Sequence, residues 1–157
     1  RKPIAYLLDY SNTAIDAEMI AFPFSPFYSP KKLPWVYLGL GPEVSFRWGD
    51  RLPDLLKEKI LRIFTLARYV PGIQIKNVDL SRADSLSLSE QRIVLTVEEW
   101  TDAGKKVEKT VILNPDAIEE GWTRYLSVKA WEGWQKAEQG TVLDLRILEL
   151  GRVYNGG

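Results

Sequence analysis

Apolar residues at spacings of three and four mark one segment as a helix: Leu52, Leu56, Ile60, Ile63, Phe64 and Ala67. That is the one-sided stripe of a helix lying on a core. Pro53 suits its first turn, and Pro71-Gly72 ends it. Lys57, Glu58, Lys59, Arg62 and Arg68 fall largely off the stripe. A second helix is expected from Asp116 to about Gln139, apolar at Ile118, Trp122, Tyr125, Leu126, Val128 and Trp131. Asn114 supplies its cap, Pro115 its first turn and Gly140 its stop.

Elsewhere the pattern is that of strands. Pro3 to Asp9 is a short apolar run closed by Tyr10-Ser11-Asn12, and Thr13 to Phe22 reads as two short strands around Asp16-Ala17-Glu18. Pro23, Pro26, Pro30 and Pro34 then alternate with Phe24, Phe27 and Tyr28. Proline lacks the N–H that a central strand needs, so this stretch is an ordered aromatic loop or a sheet edge. Trp35 to Leu38 is a strand closed by Gly39 and Gly41-Pro42. After the first helix come Ile73 to Asp79, a short alternating piece from Ser85 to Leu88, and the β-branched run Ile93 to Val97. Asp102-Ala103-Gly104 turns the chain back through Val107 to Leu113. Thr141 to Ile147 and Arg152 to Tyr154 complete the set.

Strands, helix, strands, helix, strands is the order of an α+β domain: a mixed, mostly antiparallel sheet carrying two main helices. With 157 residues and no linker-like stretch, residues 1–157 are expected to form a single domain.

Composition narrows the function. The 21 basic and 21 acidic side chains cancel, and neither Lys31-Lys32 nor Lys105-Lys106 makes the basic stripe of a nucleic-acid binder. There is no Cys and no His, which removes thiolate chemistry, disulfides, the commonest general base and the commonest metal ligand. No apolar run is long enough to span a bilayer, and the chain opens at Arg1-Lys2, so a membrane anchor upstream is compatible with it.

Candidate chemistry is sparse. Glu98-Glu99 would point to opposite faces of a strand and Glu119-Glu120 diverge on a helix, so both pairs are expected on solvated faces. Gly39-Leu40-Gly41-Pro42 lacks the glycines and N–H groups of a phosphate loop and reads as a plain turn. Asp9, Asp16 and Glu18 have no calcium-loop spacing. No metal, cofactor or catalytic residue is therefore assigned. The six Trp raise the idea of saccharide or peptide stacking: Trp122 and Trp131 fall in the helical apolar pattern, Trp134 at its margin, and Trp35, Trp48 and Trp100 flank turns.

The last strand carries the functional expectation. Leu143 to Tyr154 is apolar and β-prone, has no Pro, and Glu149 and Arg152 are the charges near it after Arg146. A final strand is often an edge that can receive a partner strand. An interior or naturally short strand is the other reading.

The order of motifs resembles one family, the extracytoplasmic β domain of the bacterial division proteins FtsQ/DivIB. Arg1-Lys2-Pro3-Ile4-Ala5 looks like the "R-x-P-x-A" that opens that domain, and Ile15-Asp16 like the "hydrophobic-D-x-x-G" that follows. Leu33 to Gly39 resembles "L-P-x-[L/V]-x-G", and Ile75 to Ser81 resembles "I-x-x-V-D-L-S". Val111-Ile112-Leu113 and Val142 to Arg146 are similar to "V-x-L-G" and "[V/I]-D-L-R". Pro23-Phe24-Ser25 with Tyr28-Ser29 resembles a "P-L-S-x-x-Y-S" variant. The chain departs at Met19 and Asn114, each standing where the pattern has glycine, and at Leu148 to Leu150, bulkier than the usual turn.

The resemblance implies a single-pass inner-membrane protein with a membrane helix and a POTRA domain upstream and this domain on the periplasmic side. It implies no enzymatic activity and no cofactor, but a divisome scaffold for cell division at the septum. Its implied partners are FtsB/FtsL-type proteins, one adding a strand to the domain's last strand. Carried onto this sequence, the partner-binding residues are Ile147, Gly151, Arg152, Val153 and Tyr154. Ile147, Val153 and Tyr154 would make side-chain contacts, and Gly151 and Arg152 would serve backbone pairing. Asp79 and the Asp144 to Arg146 segment read as structural. The alternatives are another envelope-assembly or secretion module, and an enzyme or ligand-binding domain built on carboxylates and aromatics.

Overall fold

The computed structural model describes residues 1–25, 32–42, 44–101, 103–146 and 152–155. Strands β1 (Ala5–Leu7), β2 (Thr13–Ile15), β3 (Ala21–Pro23), β4 (Trp35–Tyr37), β5 (Ile73–Asp79), β6 (Ile93–Trp100), β7 (Lys106–Leu113), β8 (Thr141–Asp144) and β9 (Arg152–Asn155) form one sheet. Its order is β3-β2-β1-β4-β5-β6-β7-β8-β9. Helices α1 (Asp54–Arg68), α2 (Ile118–Lys129) and α3 (Glu132–Gln135) complete the fold.

The sheet is mixed and mostly antiparallel, as the sequence predicts. Parallel pairing occurs at β1·β4, β4·β5 and β7·β8, and the other neighbours run antiparallel. Two of the parallel pairs are crossover units, β4-α1-β5 and β7-α2-α3-β8. Such a connection needs a helix to return the chain to the same end of the sheet. The expected stripe of α1 faces the core, with Leu52, Leu56, Ile60 and Ile63 buried and Phe64 and Ala67 packed against them. Lys59 departs from its expected place and is buried beside that stripe, its aliphatic stem covering apolar surface as long cationic side chains do.

Three further expectations are corrected. Ser85 to Leu88 forms no strand; the chain bends at Leu86 and Ser87 and enters a 3-10 turn at Leu88–Glu90. Asn114 does not cap α2. Its Oδ1 accepts the Asp116 N–H at 2.9 Å and its carbonyl accepts that of Ala117, closing a turn before the helix. The single helix to Gln139 is broken, because Trp131 is extended (φ −81°, ψ 132°) between α2 and α3. That break exchanges two indoles: Trp134 is fully buried, while Trp131 is 60% exposed with its ring over Gly133. Met19, standing where the quoted pattern has glycine, takes φ 63°, a left-handed conformation that non-glycine residues adopt at a cost of about 1 kcal/mol. Its completely buried side chain offsets that strain.

Several quoted motifs meet at one end of the central strands. Asp9 accepts the N–H groups of Leu38 (2.8 Å) and Gly39 (2.9 Å), and Asp79 accepts the Ser81 N–H (2.9 Å) and hydroxyl (2.6 Å). Gly39 has φ 68°, and a Cβ there would fall 2.4 Å from the Ser81 Cβ. Both the dihedral and the close approach require glycine. Asp9, Gly39 and Asp79 thus serve the architecture, and Gly39-Leu40-Gly41 is the plain turn expected.

Candidate functional site

The candidate interaction site is the β9 margin of the sheet. β9 pairs antiparallel with β8 in the register Asp144↔Arg152, Leu143↔Val153, Val142↔Tyr154 and Thr141↔Asn155. It ends the strand order, so among the described residues β8 is its only ladder partner. Arg152, Val153 and Tyr154 therefore lie together on an edge strand, as expected from the sequence. Ile147 and Gly151, the other two expected contact residues, lie outside the described residues.

The end of β8 is pinned beside this edge. Arg146 reaches back to Asp144 through Nη2 (2.7 Å) and Nε (3.0 and 3.2 Å), its backbone N–H donates to the same carboxylate at 3.0 Å, and Nη1 donates to the Ser89 carbonyl at 3.2 Å. Burial pushes the Asp144 carboxyl up, but the bonds and charge of Arg146, aided by Arg92, leave it net below the usual carboxylate range. The Leu145 N–H continues the ladder to the Ile112 carbonyl at 2.8 Å. The Asp144 to Arg146 segment is structural, as the sequence suggests.

Glu98 and Glu99 do take opposite faces, but neither is solvated: they are 7% and 5% exposed. Glu99 faces the helices. It accepts the Tyr125 hydroxyl and the Trp134 indole N–H (2.9 and 3.0 Å) and pairs with Lys109 at 2.8 Å. Lys109, almost wholly buried, also donates to the Trp134 carbonyl, and its Nζ lies 4.5 Å from the centroid of that indole. Burial and the adjacent Glu99 raise the Tyr125 hydroxyl's pKa, so it stays a donor. Glu98 lies on the other face, 3.6 Å from the Lys76 Nζ and 3.8 Å from that of Lys106. Both acids are ion-paired structural groups, and no sequence spacing announces this because Glu99's partners come from β7, α2 and α3. Glu119 and Glu120 are exposed as expected.

Sequence reasoning missed one feature with the make-up of a site. Asp9, Tyr10, Ser11, Thr13, Phe46, Arg47 and Trp48 line a cleft of about 420 Å³ at the β1–β2 turn. The sequence places Trp48 beside a turn, but its spacing carries no signal of exposure. Comparison with known protein families and with curated proteins finds no match to this chain.

Proposed function

We propose that this chain is a non-catalytic scaffold domain of the bacterial division machinery. On this reading it acts on the periplasmic face of the inner membrane and binds FtsB/FtsL-type partners by strand addition to β9. The observation that supports the reading is that Arg152, Val153 and Tyr154, three of the five expected contact residues, lie on the terminal strand of the described sheet. An edge strand offers a row of backbone N–H and C=O groups, so a partner's affinity would come from main-chain bonds and its specificity from alternate side chains.

Two further observations support the resemblance behind it. The mixed sheet with its helices agrees with the fold expected from the motif order. Met19, standing where the pattern has glycine, holds φ 63°, the backbone conformation for which glycine is ordinarily used.

The test is binding of this domain to a peptide from the extracytoplasmic part of its own organism's FtsB homologue, with Tyr154→Ala and a truncation after Arg146 alongside. Saturable binding that the truncation abolishes, with circular dichroism unchanged, is the expected result. A folded domain that ignores the peptide overturns the reading.

A further inference from the structure

We infer that the cleft at the β1–β2 turn is a binding site for a neutral saccharide, with Trp48 as its stacking platform. This stands independently of the β9 reading. The six Trp separate by environment: Trp122 and Trp134 are core, whereas Trp48 is 59% exposed and lines a concavity. A volume of about 420 Å³ suits one or two sugar rings and lies in the range of small-molecule sites.

The lining is held in place although it is open. The Trp48 indole N–H donates to the Thr13 hydroxyl at 3.0 Å, and that hydroxyl donates to the Ser11 carbonyl at 3.0 Å. The indole is thereby fixed although it remains largely exposed. The Tyr10 and Phe46 rings pack against each other, centroids 5.0 Å apart. Asp9 is clamped by the Leu38 and Gly39 amides, each of its oxygens taking one N–H, which leaves lone pairs for further donors. The Arg47 backbone N–H is tied to Asp50 at 2.8 Å, and its exposed guanidinium makes no hydrogen bond or ion pair among the described residues.

This lining selects its ligand class. A fixed aromatic ring takes the C–H face of a sugar ring, and a preformed carboxylate and a guanidinium lining the same cleft serve its hydroxyls as acceptor and donor. Among the described residues one acid and one base line the cleft, with no net charge, so an anionic ligand gains nothing at Arg47 that it does not lose at Asp9. Sites whose groups are held before binding lose less entropy when the ligand arrives.

The experiment is a titration of the 157-residue chain with cellotetraose, chitotetraose and, as the acidic comparison, an oligogalacturonate. Indole N–H cross-peaks are followed by heteronuclear NMR, that of Trp48 being assigned from its loss in Trp48→Ala. The expected result is saturable binding of a neutral oligosaccharide that shifts the Trp48 cross-peak. Binding should weaken at least tenfold in Trp48→Ala and severalfold in Arg47→Ala, and be unchanged in Trp131→Ala. Arg47→Ala removes no side-chain hydrogen bond or ion pair among the described residues, so it keeps the test readable should Trp48→Ala fail to fold. No binding of either neutral sugar up to about 10 mM, where a millimolar complex would be largely formed, overturns the inference. So does undiminished binding by folded Trp48→Ala, or tighter binding of the oligogalacturonate.

Discussion

The two margins of the sheet are built differently. β3 is closed: the Ala21 N–H donates to the Asp50 carbonyl (2.9 Å), the Ala21 carbonyl accepts the Gly49 N–H (2.7 Å), and Ile20 bridges to Arg51. Pro23 removes one more donor, and Phe22 turns into an aromatic cluster with Tyr6 and Phe24. β9 is as short as such edges often are but carries no proline, and β8 is its only ladder partner among the described residues. Protecting one edge with a loop and a proline is what proteins do against unwanted pairing. The contrast makes β9 the margin at which a partner strand is expected.

Variants sharpen that contrast, beginning with the largest effect, which lies at neither edge. Glu99→Ala leaves Lys109 buried without its counter-charge. A loss of about 3–5 kcal/mol is expected, seen as a lower denaturation midpoint, while peptide affinity per folded molecule stays unchanged. Binding that falls in proportion to β9 occupancy alone would then separate the edge from general stability.

Next come Val153→Pro and Tyr154→Pro. Neighbouring N–H groups of a strand point to opposite sides, so one variant deletes a bond to β8 and the other an outward donor. The Leu145 N–H bonds β7, so Val142 and Asp144 turn their backbone groups to β9, and Tyr154, opposite Val142, is the residue bonded to β8. Both variants are expected to weaken partner binding at least tenfold, and only Tyr154→Pro to lower the melting temperature clearly. Equal destabilisation with intact binding would mean that β9 presents no usable outer row.

Asp144→Asn has a smaller effect, about 1 kcal/mol, and a pH signature. Because the folded-state pKa of Asp144 is depressed, its contribution is fully present above the ordinary carboxylate pKa and is lost as pH falls through the folded value. The stability gap between wild type and Asp144→Asn should therefore be constant near neutrality and close below about pH 4. Denaturation curves at several pH values measure it. The smallest effect is at the closed edge: Pro23→Thr restores one N–H but leaves the loop cover in place. It should shift stability by under about 0.5 kcal/mol and leave sedimentation unchanged.

Much of this architecture was legible. The α1 stripe, most of the strand runs and the turn at Ala103-Gly104 follow from local pattern, because each depends on residues close in sequence. Asp102 lies outside the described residues, and the last strand's edge position is one of two open readings that only the strand order decides. What escaped depends on distant partners. The helix break at Trp131 makes sense only once Trp134 is seen bonding Glu99 across the core; Gly133, a weak helix former between two indoles, was its one local sign. Strand alternation predicts the opposite faces of Glu98 and Glu99, but their burial rests on lysines from other strands. The Trp48 cleft joins the β1–β2 turn to a loop more than thirty residues on, a juxtaposition that no spacing encodes.

The most direct measurement is amide hydrogen exchange of the domain with and without the FtsB-homologue peptide. The account predicts added protection along 152–155, strongest at amides not already bonded to β8, with β3 unchanged. Peptide binding that protects β3 or the helices, and leaves 152–155 exchanging as before, would contradict it.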